Sequence, residues 1–265
     1  MRRAPRLRRC AIRVASVAGV ALGACGGRPR DPDPKISAVP LTRVPVHDTE
    51  ADDGVQVVHD KGHMDAAAVD AGLAPHRAAL TGCYTQQVGQ RTWLGGHVVL
   101  RWEVAADGTV ARLLVTESDL GAWPIERCLL EVARTAELGK PIGGPAELTL
   151  PLDLTSRGAP EVWDEAHSAA AIGGQLARLD ACNRAAAATP DDVRITLYIG
   201  RHGRAESVGF ASPATVLDGA WAACAEKAAL DWRVPDPKAP RTRHRKAPGA
   251  PTAQMTKLLV RYRPL

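Results

Sequence analysis

The sequence predicts an α+β fold of two tandem units, each a helix, a hairpin, a second helix and a last strand around a small antiparallel sheet. Three observations predict it. An order of cysteine, strand pair and cysteine occurs twice along the 265 residues. The cysteines lie 45 residues apart in the first copy, Cys83 and Cys128, and 42 apart in the second, Cys182 and Cys224. Each strand pair is broken by a glycine-bearing turn, Asp107-Gly108 and His202-Gly203. Parallel spacing of this kind is the mark of a duplication.

The predicted elements follow in chain order. A short strand at 55–58 opens the globular part, and Asp65 caps a helix whose apolar face carries Ala68, Ala71, Leu73, Ala79 and Leu80. Val98, Leu100, Trp102 and Val104 alternate with His97, Val99, Arg101 and Glu103, so that one face packs on helices, and Asp107-Gly108 is expected to supply the positive φ angles of a tight turn. The second helix presents Ile125, Leu129, Val132 and Ala133 beside Cys128, and a Gly-Pro-rich loop leads to a strand at 146–152. In the second copy the expected helices span 175–188, alanine-rich, and 216–229, the hairpin strands 193–199 and 205–210, and the last strand 257–263. The predicted domains are 54–155 and 161–265, with Ser156-Arg157-Gly158-Ala159-Pro160 as a short boundary that allows the two to pack together.

The N-terminal segment, residues 1–24, holds six arginines around a short apolar run ending in Leu22-Gly23-Ala24-Cys25. It resembles a bacterial lipoprotein signal, in which the peptide is cleaved before the cysteine and Cys25 becomes an acylated N-terminus. The uninterrupted apolar run is shorter than the ~20 residues of a spanning helix. Removing the signal takes six of the 34 basic residues and no acidic one, leaving 28 against 29, a formal charge of about minus one. The overall basicity therefore belongs to targeting and is no argument for nucleic acid. Residues 25–53, rich in proline and acidic side chains, read as a disordered tether. The expected location is the cell envelope, as an outer-membrane lipoprotein, because Gly26 follows Cys25 where some lipoprotein systems place an aspartate retention signal.

Export permits disulfides. The four remaining cysteines allow three pairings, and the repeat selects Cys83 with Cys128 and Cys182 with Cys224, each tying the two helices of one unit. Closing loops of that length contributes about 4 kcal/mol in the chain-entropy model.

Catalytic signals are sparse. There is no Gly-x-Ser-x-Gly elbow and no phosphate loop, and the Gly95-Gly96, Gly143-Gly144 and Gly173-Gly174 pairs read as turns and strand entries. His59, Asp60, His63 and Asp65 form the one metal-like cluster, but Lys61-Gly62 between the histidines favours a turn over a helical face, so no metal and no cofactor are expected. Trp102 and Trp221 sit at core positions, whereas Trp93 and Trp123 lie in loop-like settings and are the aromatic interface candidates. Arg241, Arg243, Arg245 and Lys246, between prolines, form a basic loop whose ordinary reading is a solvated surface and whose sharper one is contact with an acidic partner or anionic lipid.

Cys83-Tyr84, the run from Gly95 to Val104, Asp107-Gly108-Thr109-Val110, Ser118-Asp119-Leu120, Cys128 and Gly143-Gly144 before a strand together resemble the AgmX/PglI C-terminal domain family of myxobacterial envelope proteins, itself similar to the C-terminal domain of TonB. The match covers residues 65–154, and the second copy follows it more weakly through Cys182, its hairpin, Cys224 and the segment from Trp232 to Pro235. The resemblance implies TonB-C-like units that make protein-protein contacts in the envelope, with links to gliding motility or TonB-like complexes. It also implies a non-catalytic scaffold onto whose edge strand an envelope protein or peptide adds by backbone pairing. The last strand of either unit is the expected free edge. A chain held by a lipid on Cys25, with no spanning segment, departs from the TonB manner of coupling to an inner-membrane motor. The competing readings are a periplasmic metal-binding protein or enzyme using the His59 to Asp65 cluster, and a cell-wall glycan binder.

Overall fold

The computed structural model describes residues 61–200, 202–234 and 255–264, together with the backbone of 36–38. The signal, Cys25, the expected strand at 55–58 and the basic loop lie outside the described residues. The fold is α+β, with two four-stranded sheets in one compact unit.

In the first half, Asp65 has extended backbone angles and its carboxylate accepts from Ala67 N and Ala68 N, which starts helix α1 (Ala66–Leu73). A 3-10 turn with Pro75 in its first turn leads into α2 (Arg77–Val88), which ends at Gly89 with φ of 46°. Strands β2 (Gly96–Val104) and β3 (Val110–Ser118) form the predicted hairpin, and β4 (Ala146–Leu154) runs antiparallel to β2 in an unbroken register from Gly96↔Leu154 to Val104↔Ala146. Helix α3 (Trp123–Ala133) packs Ile125, Leu129 and Ala133 onto the buried face made by Val98, Leu100, Trp102 and Val104, and the Trp102 indole donates to Ala133 O at 3.1 Å.

Two expectations for this half need correction. The hairpin turn does not have positive φ at both Asp107 and Gly108: Gly108 alone is left-handed, at 93°. The Asp107 carboxylate instead accepts from Thr109 N and Oγ1, while Gly108 N donates to Ala105 O and Ala105 N to Thr109 O. The local side-chain bonds hold Asp107 at negative φ, and the residue without a Cβ takes the left-handed position. The second correction concerns the tether. Residues Ile36–Ala38 form a strand, β1, antiparallel to the end of β4 with Ile36 opposite Leu154 and Ala38 opposite Leu152, so the sheet order is β1-β4-β2-β3.

The second half repeats the plan. A short strand β5 (Glu161–Trp163) precedes α4 (Glu165–Ile172), a 3-10 stretch, α5 (Asp180–Asn183), the hairpin β6 (Val193–Ile199) and β7 (Ala205–Ala211), helix α6 (Gly219–Leu230) and β8 (Thr256–Tyr262). Its sheet order is β5-β8-β6-β7, with β5 parallel to β8. The first helix is not the continuous one expected at 175–188. Asp164 caps α4 by accepting from His167 N, and Gly173, with φ of 55°, ends it. The chain then tightens to 3-10 geometry, and Ala185 to Ala188 stay outside any helix. Alanine propensity alone does not propagate a short helix without a face to bury. Asp218 caps α6 as the polar side chain before an alanine-rich run, accepting from Ala220 N and Trp221 N.

Both disulfides form in the expected pairing, Cys83–Cys128 between α2 and α3 and Cys182–Cys224 between α5 and α6, each with 5.6 Å between Cα atoms. They point to an oxidising, extracytoplasmic compartment. No helix among the described residues is long and apolar enough to cross a membrane.

Candidate functional site: a sheet edge and the junction of the two halves

A sheet edge carries unpaired N–H and C=O groups, and the fate of each edge decides where another chain can add. The outer strands β3 and β7 pack against one another, and Ser212 N donates to Val115 O at 2.8 Å. The outer side of β8 is paired with β5 over Thr256–Leu258, and beyond that Leu259 N donates to Ser168 Oγ of α4. On the outer side of β4, β1 pairs only with Leu152, Asp153 and Leu154, and Gly62 N reaches Pro145 O beyond the other end. Between these, Ala146 to Pro151 have no backbone partner on that side among the described residues.

The direction of the backbone groups along β4 follows from Pro151. Proline has no N–H, yet it lies opposite Val99 in an unbroken ladder, so the odd-numbered residues of β4 sit at the non-bonded positions toward β2 and turn their backbone groups outward. Glu147 and Thr149 therefore offer N–H donors and C=O acceptors along the outer edge. Their side chains face solvent, while Ala146, Leu148 and Leu150 face the core. The final strands are thus not outermost, contrary to expectation. Each is second in its sheet, and the outer side of β4 retains an uncovered stretch among the described residues.

The junction where β3 and β7 meet is built from exchanged side chains. Trp123 of α3 enters the second core and meets Phe210 edge-on at 5.7 Å, while Tyr198 and Met255 of the second half join the first core. The Tyr198 hydroxyl donates to Gly95 O at 2.8 Å, Ser207 Oγ donates to Gly121 O, and Thr196 Oγ1 to Ser118 O. Lys257 is buried and its ammonium reaches Asp119 Oδ2 at 2.9 Å. At the centre Glu126 is fully buried. Its carboxylate accepts from Ser118 Oγ at 2.6 Å and from Phe210 N at 2.7 Å, and burial pushes its pKa up to about 7. Among the described residues no Lys, Arg or His pairs with it. Gly209 makes room for it, since a Cβ there would sit 2.4 Å from Glu126 Oε1.

The chain matches no protein-family model, no curated protein and no solved structure.

The sequence candidates separate in space. Trp93 and Trp123 do meet a partner surface, but it belongs to the same chain: Trp93 packs on Tyr198 at 4.6 Å and Trp123 is buried. Trp123 is therefore not exposed, and Trp93 is half-buried against Tyr198. His59 and Asp60 of the proposed metal cluster lie outside the described residues, as do Arg241, Arg243, Arg245, Lys246 and Cys25. Of the rest of that cluster, His63 is held by backbone bonds to Ile142 and Asp65 is committed to the α1 cap. No group of three or more metal-type side chains occurs among the described residues. Glu126 was not singled out from sequence. The signal was Trp123 and Leu130, three before it and four after, which give α3 a second apolar stripe with Glu126 on it.

Proposed function

We propose that the protein is a lipid-anchored, non-catalytic envelope scaffold that captures an extended segment of another envelope protein on the outer edge of β4. The observation that carries this reading is the outer edge of β4: among the described residues Ala146 to Leu150 have no backbone partner there and lie above a buried apolar face, while β8 is covered by β5 and α4 and β3 packs against β7. That stretch is close to a typical strand length of ~5–6 residues. The resemblance to the AgmX/PglI C-terminal family supports the setting, an envelope complex of TonB-like or gliding type. The lipoprotein-like signal supports an outer-membrane anchor through Cys25. The second repeat acts in this reading as a brace packed on β3 at the far side of the sheet from the docking edge.

Edge pairing is tested by Thr149→Pro, which deletes an outward N–H without removing a bond to β2. The natural and variant proteins, each with and without Cys25→Ala, are recovered from gently solubilised envelopes. A discrete partner that co-purifies with the natural chain and is lost with Thr149→Pro supports the reading, and the Cys25 arm shows whether the lipid is needed. A partner retained by Thr149→Pro contradicts it.

A further inference from the structure

A cavity of about 340 Å³ opens between the halves, bounded by the end of the β2–β3 hairpin, the start of α4 and the outer faces of β6 and β8. Its size falls at the small end of ligand sites. Most of the charge on its walls is already neutralised. Arg261 forks onto the Asp192 carboxylate, Lys257 holds Asp119, and His97 Nδ1 bonds Asp153 at 2.7 Å. Three ionised side chains remain: the carboxylates of Glu117 and Glu165 and the guanidinium of Arg194. All three are exposed, and none has a hydrogen bond or an ion pair among the described residues.

The hairpin supplies the reason Glu117 belongs to this wall. The β2–β3 register slips between Val99 and Leu100, so that Val99 faces Glu117 and Leu100 faces Val115, leaving Thr116 as the extra residue. Bulges of this type re-aim side chains. Here the slip sends Ser118 inward to Glu126 and turns Glu117 out into the cavity. Glu165 stands in the first turn of α4, where its charge suits the helix end while its oxygens stay unbonded. Arg194 projects from β6 on the face opposite the core residues Val193 and Ile195. Two carboxylates and one guanidinium without a hydrogen-bonded partner thus line one small cavity, Arg194 acting on Asp192 and Glu165 on Arg261 only through their charges, and the three complement a ligand with one carboxylate and two ammonium groups.

We infer that this cavity binds a diamino monocarboxylic acid of lysine type, its carboxylate forked by Arg194 and its two ammonium groups held by Glu117 and Glu165. Arg is suited to the carboxylate because its planar N–H fork matches two oxygens. The contacts are solvent-exposed, so the affinity is modest, with a Kd on the order of 1 mM.

The test titrates the purified full chain, disulfides intact, with L-lysine, with cadaverine, which lacks the carboxylate, and with hexanoate, which lacks the amines. Calorimetry is read together with amide shifts at Thr196 and Glu117. Lysine is expected to saturate and to bind at least ~10-fold more tightly than either comparator, at a cost that rises with salt. Arg194→Ala should bring lysine down to the level of cadaverine, and the double variant Glu117→Gln/Glu165→Gln to the level of hexanoate. All three positions are exposed, so the variants are expected to fold. Absence of saturation by lysine, or lysine affinity unchanged in Arg194→Ala, overturns the inference.

Discussion

Glu126 is the residue on which the joining of the two halves turns. A carboxyl group with a folded pKa near 7 and an unfolded value near 4.5 holds its proton in the folded state over a range where the unfolded chain has lost it. Its contribution to stability is therefore greatest below about pH 4.5, falls as pH rises toward 7 and is constant above that, a difference of about 3 kcal/mol by linkage. Glu126→Gln removes the charge and keeps an oxygen to accept from Phe210 N. Denaturant titrations at a series of pH values should show the variant equal to the natural protein at pH 4 and more stable by about 3 kcal/mol at pH 8. A natural protein with flat stability between pH 4.5 and 7 contradicts this. Gly209→Ala should be costly for a steric reason, because the new Cβ meets both Glu126 Oε1 and Ala122 N. A loss of roughly 1–3 kcal/mol in the denaturation midpoint is expected. Glu126 was hidden in the sequence because an acid on a helix ordinarily faces water. Only the second apolar stripe, Trp123 and Leu130, marks it as buried, and that stripe has meaning once a second half is known to cover it.

At the scale of elements, what was legible was what local chemistry decides. The Asp65 cap, the alternation of β2 and the paired cysteines each declare themselves within a few residues or by repetition. The second half's first helix was misplaced because alanine content outweighed the Asp164 cap and the Gly173-Gly174 break. The strand β1 was hidden because three residues in a proline-rich stretch acquire strand character only by pairing with β4. The two disulfides differ in what they support. Cys83 lies in a helix of 12 residues and Cys182 in one of 4, where the second bridge adds to the hydrogen bonds that Asp180 and Asn183 make with Tyr262 and Trp221 in restraining α5. Replacing either pair by serine should cost about 2–4 kcal/mol. Hydrogen exchange should show the loss of Cys182–Cys224 opening α5 locally, and the loss of Cys83–Cys128 felt across the first core. Equal, global effects from both would contradict that distinction.

For the whole molecule, the packing of the two halves decides which surfaces each covers in the other. The halves exchange Trp123 for Tyr198 and Met255, and the exchange sets β3 against β7, while α4 and β5 cover β8. No reading of one repeat by itself could find this, since each last strand in isolation resembles an edge. Trp93 and Trp123, read from sequence as contacts for another protein, meet the other half of the same chain at Tyr198 and Phe210. The account therefore concentrates recognition on the odd-numbered residues of β4. The measurement that tests this most directly places a photo-reactive benzoylphenylalanine at Thr149 in the intact chain, with Arg178, exposed on the 3-10 stretch of the second half, as the control position. Adducts formed by irradiating cells are identified by mass spectrometry. The account predicts a discrete envelope protein cross-linked from Thr149 and absent from Arg178, with the linked peptide an extended segment. The same adduct from both positions, or none from Thr149, would contradict it.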